Sequence, residues 1–560
     1  MEKTWLRSYP PDVPAEVDTA AFASLPALVA PSVAAWPDRD AFANQGAALT
    51  YRRFDQQARA FGAYLRHTAG LQHGERVAIM LPNLLQYPIA LFGVLHAGCV
   101  AVNTNPLYSA RELLHQLVDS GATCIVVLEN FAHVVQQVLP STSVRTVITT
   151  KVGDMLHLPR ALLTNFVVAH VKHMVPEWHI DGALDFNDVL RAGAALDTSP
   201  AAINGADTAL LQYTGGTTGV PKAAVLSHAN LVANVLQTEA WVRGVLTPGR
   251  EVALVPLPLY HIFALTCTLA FMRLGATNVL VTNPRDLPAL IKEIKHARPS
   301  TIIGVNTLFR ALLDAPGVED AATGTLKLAV AGGMAMQRSV AERWQQRFGV
   351  HVTEGYGLTE ASPIVCANRL DAGHFTGAIG LPIPSTEVAI LDDAGTPLPL
   401  GEPGEICVRG PQVMQRYWNN PDETAKVFAP GGWLRTGDIG AMDEQGYVRL
   451  LDRKKDMIIV SGFKVFPNEV EEVVAAHAGV LEAVAIGAAD ERAGQVVKLV
   501  VVRKDPHLAE ADLIAHCRAN LAAYKVPKIV VFRDEPLPKS NVGKILRRAV
   551  IEQEGSVATG

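Results

Sequence analysis

Tyr213-Thr214-Gly215-Gly216-Thr217-Thr218-Gly219-Val220-Pro221-Lys222 follows an apolar run, Ala209-Leu210-Leu211-Gln212-Tyr213, that reads as a buried strand. Glycine lets a backbone turn tightly and bring its N–H groups close to a ligand. The threonine hydroxyls and the lysine add donors and positive charge, which suits a polyphosphate. A surface turn is the plainer reading of any glycine-rich loop, but a strand feeding the loop supplies the rigid scaffold that functional loops use. The stretch is not the G-x-x-x-x-G-K-[ST] loop, because Val220 stands where the second glycine is required. No G-x-G-x-x-G occurs either. Kinase-like and GTPase-like folds are therefore disfavoured, while phosphate binding is not.

Outward from this loop, short apolar runs rich in β-branched residues recur at 77–81, 124–128, 252–256, 301–305 and 326–330, with helical patterns between them. That alternation predicts α/β layers. Residues 387–417 differ, with several strand-like runs and turn pairs, and predict a small β subdomain spanning about 385–451. Asp452-Arg453-Lys454-Lys455-Asp456 then interrupts the apolar pattern with consecutive charges. We read 1–451 as a large N-terminal α/β domain, 452–456 as a hinge and 457–560 as a small α+β domain, with strands at 484–487 and 496–502 and a helix at 509–523.

The chain has 560 residues, more than one core accommodates. Its formal net charge of −5 gives no support for a nucleic-acid partner. The six cysteines form no C-x-x-C, and the N-terminus lacks a signal-peptide pattern, so a reducing cytoplasm is the expected setting. Residues 77–110 carry no Lys, Arg, Asp or Glu, long enough for a membrane span. Pro82, Asn83, Gln86, Pro88, Gly93 and Gly98 punctuate the run, which reads instead as strand, turn, buried helix (87–97) and strand (99–103). Residues 155–175 are apolar with basic and histidine interruptions. Packing against the body is the first reading of this segment, and a helix lying on a membrane surface is the sharper alternative.

Five other clusters carry chemistry. Gly332 and Gly333 follow a strand and would let a flat ring lie against the backbone. Thr353-Glu354-Gly355-Tyr356-Gly357-Leu358-Thr359-Glu360 combines an aromatic that can stack, a hydroxyl for phosphate and a carboxylate for Mg²⁺. Asp438, in Trp433-Leu434-Arg435-Thr436-Gly437-Asp438, offers a carboxylate at a turn, suited to ribose hydroxyls. His261 sits among apolar neighbours, a setting more typical of a core histidine. Leu537–Arg548 is a basic, turn-rich segment that can deliver a lysine to a phosphoryl centre. His115 and Asp119 match an H-x-x-x-D pattern but share a helix face. Neither G-x-S-x-G nor H-E-x-x-H occurs, against serine hydrolases and zincins.

With these motifs in this order, the chain resembles the adenylate-forming superfamily over nearly its whole length, and within it the bacterial long-chain fatty acid–CoA ligases. The strings 82–88, 282–286, 303–309 and 452–469 carry the likeness. The resemblance implies the fold of that superfamily, a large α/β domain with a β subdomain plus a small mobile C-terminal α+β domain. It implies ATP and CoA as co-substrates, a fatty acid as the third substrate, and Mg²⁺. Thr214, Gly215, Gly216, Thr217, Thr218, Gly219 and Lys222 would hold the β/γ-phosphates, with Thr218 beside the metal. Gly332, Gly333, Glu354, Gly355, Tyr356, Gly357 and Leu358 would border adenine. Thr359 would meet the α-phosphate, Glu360 would bind Mg²⁺, and Asp438 and Arg453 would bind ribose. His261 would lie near the acyl carboxylate and Lys544 would serve adenylation. Lys455 would be the hinge residue, and Ser461, Gly462, Phe463 and Lys464 would touch CoA. Peripheral association with the cytoplasmic face of the membrane and a homodimer are compatible with the resemblance. The rival readings are a fatty acyl-AMP ligase, a medium-chain or aryl-CoA ligase, and a non-catalytic acyl or nucleotide sensor, which has no need of Lys544, Glu360 and Thr359 together.

Overall fold

A computed structural model describes residues 2–214, 221–318, 324–490, 492–540 and 543–556. Among them the strands form four sheets. One runs in the order Leu184–Asp185, Thr146–Thr150, Cys124–Leu128, Arg76–Met80, Val100–Asn103, Thr208–Thr214, Lys222–Ser227. Its pairings are parallel except the last, where Thr208–Thr214 turns back on Lys222–Ser227. The predicted phosphate loop therefore joins two antiparallel strands at a sheet edge.

A second sheet carries Val352–Gly357, Leu328–Ala331, Thr301–Gly304, Val252–Val255, Thr277–Leu280 and Asp40–Asn44 in parallel, with antiparallel strands at both edges. Both sheets feed one hydrophobic core together with the helices Tyr51–His67, Gln86–His96, His228–Val242 and Ile262–Arg273. Gln86–His96 is buried at every position, which is why its sequence shows no polar face and no charge. The uncharged stretch is strand, helix and strand as its punctuation predicts. No helix among the described residues is long and apolar enough to cross a membrane.

The β subdomain is a third sheet of Glu387–Leu391, Gly404–Arg409, Trp433–Met442, Phe428–Ala429 and Val448–Arg453. Its last strand runs on through Arg453, so the first two of the five consecutive charges belong to a strand. The fourth sheet, built on the long hairpin Val480–Asp490 and Gly494–Arg503, makes a small C-terminal unit with its own core of Val470, Val474, Leu499, Val501 and Leu513.

Residues 155–175 pack only in part as the first reading expects: Met155, Leu156 and Ala161 join the main core. Arg160–Phe166 is α-helical and Val167–Val171 continues it as a π-turn. Ala161 is buried, and Asn165 accepts from the Gly153 amide at 2.7 Å and donates to Asp154 at 3.1 Å. Leu158, Leu162, Leu163, Phe166, Val171 and Met174 stand 54–74% exposed. At 100° per residue, Ala161 and Asn165 lie on one side of the helix and Leu162, Leu163 and Phe166 on the other.

Candidate functional site

The parallel strands of both sheets end at one cavity of about 910 Å³. Val305, Gly332 and Gly357, at the carboxyl ends of successive strands, reach it from the second sheet. Asn103, Gln212 and Thr214 reach it from the first. A crevice at the carboxyl ends of strands is where open α/β sheets bind ligands.

A buried polar chain shapes its rim. Asn83 donates to the carbonyls of Val255 and Leu257 at 3.1 and 2.9 Å and accepts from the Leu259 amide at 2.8 Å. The Tyr87 hydroxyl lies 2.7 Å from Asn103 Oδ1, Asn103 donates to Gln212 at 2.8 Å, and Gln212 donates to the Tyr260 carbonyl at 2.9 Å. These contacts fix residues 257–260, and so set His261, which opens the helix Ile262–Arg273. Burial and the nearby Lys544 charge push the His261 imidazole down to about 4, so it is neutral at ordinary pH.

The flat face of the cavity is made where side chains are missing. A methyl on Gly332 would come 2.9 Å from the Phe263 ring, and one on Gly357 would come 2.1 Å from the Pro363 carbonyl oxygen. Gly332, Gly333, Glu354, Gly355, Tyr356, Gly357, Leu358, Thr359 and Glu360 all line the cavity, as the sequence predicts. Glu354 is buried and accepts the Met336 amide at 3.0 Å, and burial pushes its carboxyl up to about 8. Tyr356 lines the cavity and is otherwise buried, and its hydroxyl donates to Asp438 at 2.6 Å. Asp438 also pairs with Arg453 at 3.0 Å, its partner across the strand register.

Glu360 accepts from the Tyr417 hydroxyl at 2.6 Å through one oxygen, and no hydrogen bond to its other oxygen is made among the described residues. No cluster of three or more His, Cys, Asp or Glu suited to a metal exists among the described residues. One carboxylate beside substrate phosphates fits Mg²⁺, which keeps few protein ligands. Lys222 is tied to Glu423 and lies 5.4 Å from the Tyr417 ring centroid. Thr214 lines the cavity, while Gly215, Gly216, Thr217, Thr218 and Gly219 lie outside the described residues.

From the C-terminal unit, Lys544 enters the cavity wall and Lys455 lines it as well. Burial first, and the Arg453 charge second, push the Lys544 ammonium down to about 8, with Asp438 opposing.

The AMP-binding enzyme model matches residues 29–418, and the AMP-binding enzyme C-terminal domain model matches 469–544. The chain belongs to the AMP-binding, adenylate-forming enzyme family. This AMP-binding enzyme is 52% identical over 561 residues to the long-chain-fatty-acid–CoA ligase of Yersinia pestis, covering 100% of this chain and 99% of that one. Against the ligase of the same name from Escherichia coli O6:H1 it is 50% identical, covering 99% and 98%. Among solved structures, ATP-bound MatB from Rhodopseudomonas palustris superposes with a TM-score of 0.82 at 27% identity, covering 95% of this chain and 99% of that one. The anthranilate CoA ligase AuaEII with anthranoyl-AMP gives 0.86 at 24% identity, covering 97% and 100%, a likeness of fold.

The sequence reading and the cavity lining differ in two places. Ser461, Gly462, Phe463 and Lys464 form a hairpin tip of the C-terminal unit and do not line the cavity; Phe463 is exposed and stacks on Tyr524 at 4.9 Å. Tyr417 and Glu423 do line it and were not singled out. Asn420-Pro421-Asp422-Glu423 is a readable helix start, with Asn420 capping Glu423, but it says nothing of the lysine that Glu423 meets.

Proposed function

We propose that this protein is a long-chain fatty acid–CoA ligase that activates a fatty acid through acyl-AMP for degradation or turnover. One observation carries the reading: Thr359, Glu360, Arg453, His261 and Lys544 line one cavity, with Asp438 paired to Arg453, and Trp241, Val242, Cys267, Phe271, Leu328 and Ile383 give that cavity an apolar stretch. The names of the full-length relatives agree with it.

In the first step a carboxylate oxygen of the fatty acid bonds to the α-phosphorus of ATP, and the bond to pyrophosphate breaks. The carboxylate is already ionised near neutral pH, so positioning and charge neutralisation replace a general base. Asp438 and Arg453 hold the ribose, with Tyr356 fixing Asp438. Thr359 and Lys544 serve the α-phosphate, Lys222 exchanges Glu423 for the outer phosphates, and the loop 214–219 completes that grip. Neutral His261 stands by the acyl carboxylate without drawing it into an ion pair. Glu360 and Thr218 would hold Mg²⁺, which would neutralise phosphate charge. In the second step the CoA sulfur bonds to the acyl carbonyl carbon and AMP leaves. Residues 457–560 turn about Lys455 between the steps, withdrawing Lys544 and bringing the tip at 461–464 toward CoA.

The apolar wall favours long chains, since each buried CH₂ contributes about 0.8 kcal/mol. A competition among fatty acids of graded length tests this. Rising kcat/KM with length supports the reading, and a preference for aryl or medium-chain acids would replace it with the rival ligase.

Peripheral contact with the cytoplasmic face of a membrane belongs to the same proposal. The exposed apolar side of residues 158–174 is flanked by Arg160 and Lys172, and no acidic residue occurs between Asp154 and Glu177. Apolar side chains beside basic ones match a surface of anionic lipid. Flotation with anionic vesicles should carry the protein up and fail for Leu162→Glu/Phe166→Glu. A dimer that those substitutions dissociate, without vesicle binding, would assign the face to a second copy.

A further inference from the structure

Arg547 stands three residues after Lys544 and opens the last helix, Arg547–Ser556. Its side chain is 16% exposed and meets three carboxylates: Asp456 at 3.0 Å, Glu471 at 2.5 Å and Asp452 at 3.7 Å. A cation in the first turn of a helix faces the positive end of the helix dipole, so the site is set by those carboxylates and not by the helix. The turn that presents Lys544 is closed by its own bonds. The Ser540 amide donates to the Lys544 carbonyl at 2.7 Å, the Lys544 amide donates to Ser540 Oγ at 3.2 Å, and the Leu546 amide donates to the Pro538 carbonyl at 2.8 Å. Arg547 follows this closed turn directly, next to Leu546.

The three carboxylates differ in where they sit. Asp456 and Glu471 lie beyond Lys455 and travel with Arg547 if the C-terminal unit turns there. Asp452 lies before Lys455, in the strand Val448–Arg453, and is 1% exposed. It also accepts the Asn468 amide at 2.7 Å, while Asn468 Nδ2 donates to the Leu451 carbonyl at 3.3 Å. These contacts join strand to C-terminal unit across the pivot, and a rotation has to break them. Without the guanidinium, Asp452, Asp456 and Glu471 would face one another as like charges in a mostly buried pocket, which opposes closure.

We propose that Arg547, acting on Asp452 across the pivot, is the positioning residue that latches the C-terminal unit with Lys544 in the nucleotide cavity, and so serves adenylation but not thioester formation. The proposal rests on the ligase reading and its pivot at Lys455. A plain structural ion pair would lower both half-reactions together.

Arg547→Gln, Arg547→Lys and Asp452→Asn separate the two accounts. Fatty-acid-dependent ATP–pyrophosphate exchange should fall at least about tenfold relative to acyl-CoA formation from supplied acyl-AMP in Arg547→Gln and Asp452→Asn. Arg547→Lys should recover part of the exchange. Equal loss in both half-reactions, or none, overturns the latch. A second readout needs no substrate: trypsin should cut at Lys454 and Lys455 faster in Arg547→Gln and Asp452→Asn than in the parent chain. Unchanged cleavage overturns the latch whatever the assays give. Faster cleavage in the variants of a parent chain that itself makes no acyl-AMP upholds the latch and defeats the ligase reading instead.

Discussion

Raising the pH should switch off adenylation while favouring thioester formation. The Lys544 ammonium titrates near 8, held there by burial and by the Arg453 charge. The charge that Lys544 brings to the phosphoryl oxygens is thus present below pH 8 and lost above it. One pH unit higher, about one lysine in ten remains charged, so kcat/KM for ATP should fall about tenfold per pH unit on its alkaline limb. The CoA thiol gains thiolate over the same range, so the second half-reaction should rise. Pyrophosphate exchange and acyl-CoA formation from supplied acyl-AMP, each followed from about pH 6.5 to about pH 10, separate the trends. Lys544→Arg keeps its charge at high pH and should lose the alkaline limb. A flat exchange profile in the parent chain, or an alkaline limb that survives in Lys544→Arg, would refute the reasoning. Stability carries the opposite sign. A lysine whose folded-state pKa lies below its unfolded value near 10.5 costs the folded protein most where both states are charged, below pH 8, and the cost fades as pH rises toward 10.5. At about 1.36 kcal/mol per pH unit the ceiling is about 3 kcal/mol, reduced by solvent at the cavity mouth. Lys544→Met should therefore melt higher than the parent chain at neutral pH while losing adenylation.

Tyr417→Phe removes the hydroxyl that orients Glu360, and the Mg²⁺ concentration for half-maximal exchange should rise roughly tenfold; an unchanged requirement would argue against Glu360 as the metal ligand. Gly332→Ala sets a methyl 2.9 Å from the Phe263 ring, which lines the cavity, so the ring must shift there. KM for the fatty acid should rise by roughly threefold to tenfold, with little change in melting, and an unaltered KM would place the acyl chain elsewhere. Lys455→Pro should stall thioester formation and spare pyrophosphate exchange, because proline fixes the dihedral about which the unit turns.

The α/β layers were legible because strand runs such as Cys124–Leu128 and Thr301–Gly304 are apolar and β-branched on both faces, and their ends are punctuated. The cavity floor was legible for a similar reason, since residues 354–360 are contiguous. What binds those residues to distant partners was not. Tyr356 reaches Asp438 across 82 positions, Tyr417 reaches Glu360 across 57, and Glu423 reaches Lys222 across 201, and no local pattern encodes such pairs. Tyr356 read as a stacking ring, and nothing in its neighbourhood announced that its hydroxyl is tied to Asp438. Residues 155–175 read as packed because they are apolar; Met155, Leu156, Ala161 and Asn165 do meet the body, while Leu162, Leu163 and Phe166 stand exposed. Apolar composition marks a face that seeks cover, and the covering surface is not written in the segment itself.

The central claim is that one cavity joins a fatty acid to CoA through an adenylate. Palmitate, ATP and Mg²⁺ are incubated with the protein, with and without CoA, and pyrophosphate, acyl-AMP and palmitoyl-CoA are followed together. The account predicts enzyme-bound acyl-AMP with pyrophosphate release in the absence of CoA, and steady palmitoyl-CoA with equimolar AMP once CoA is added. Acyl-AMP that forms but never passes to CoA, or no pyrophosphate release with any fatty acid, would contradict it.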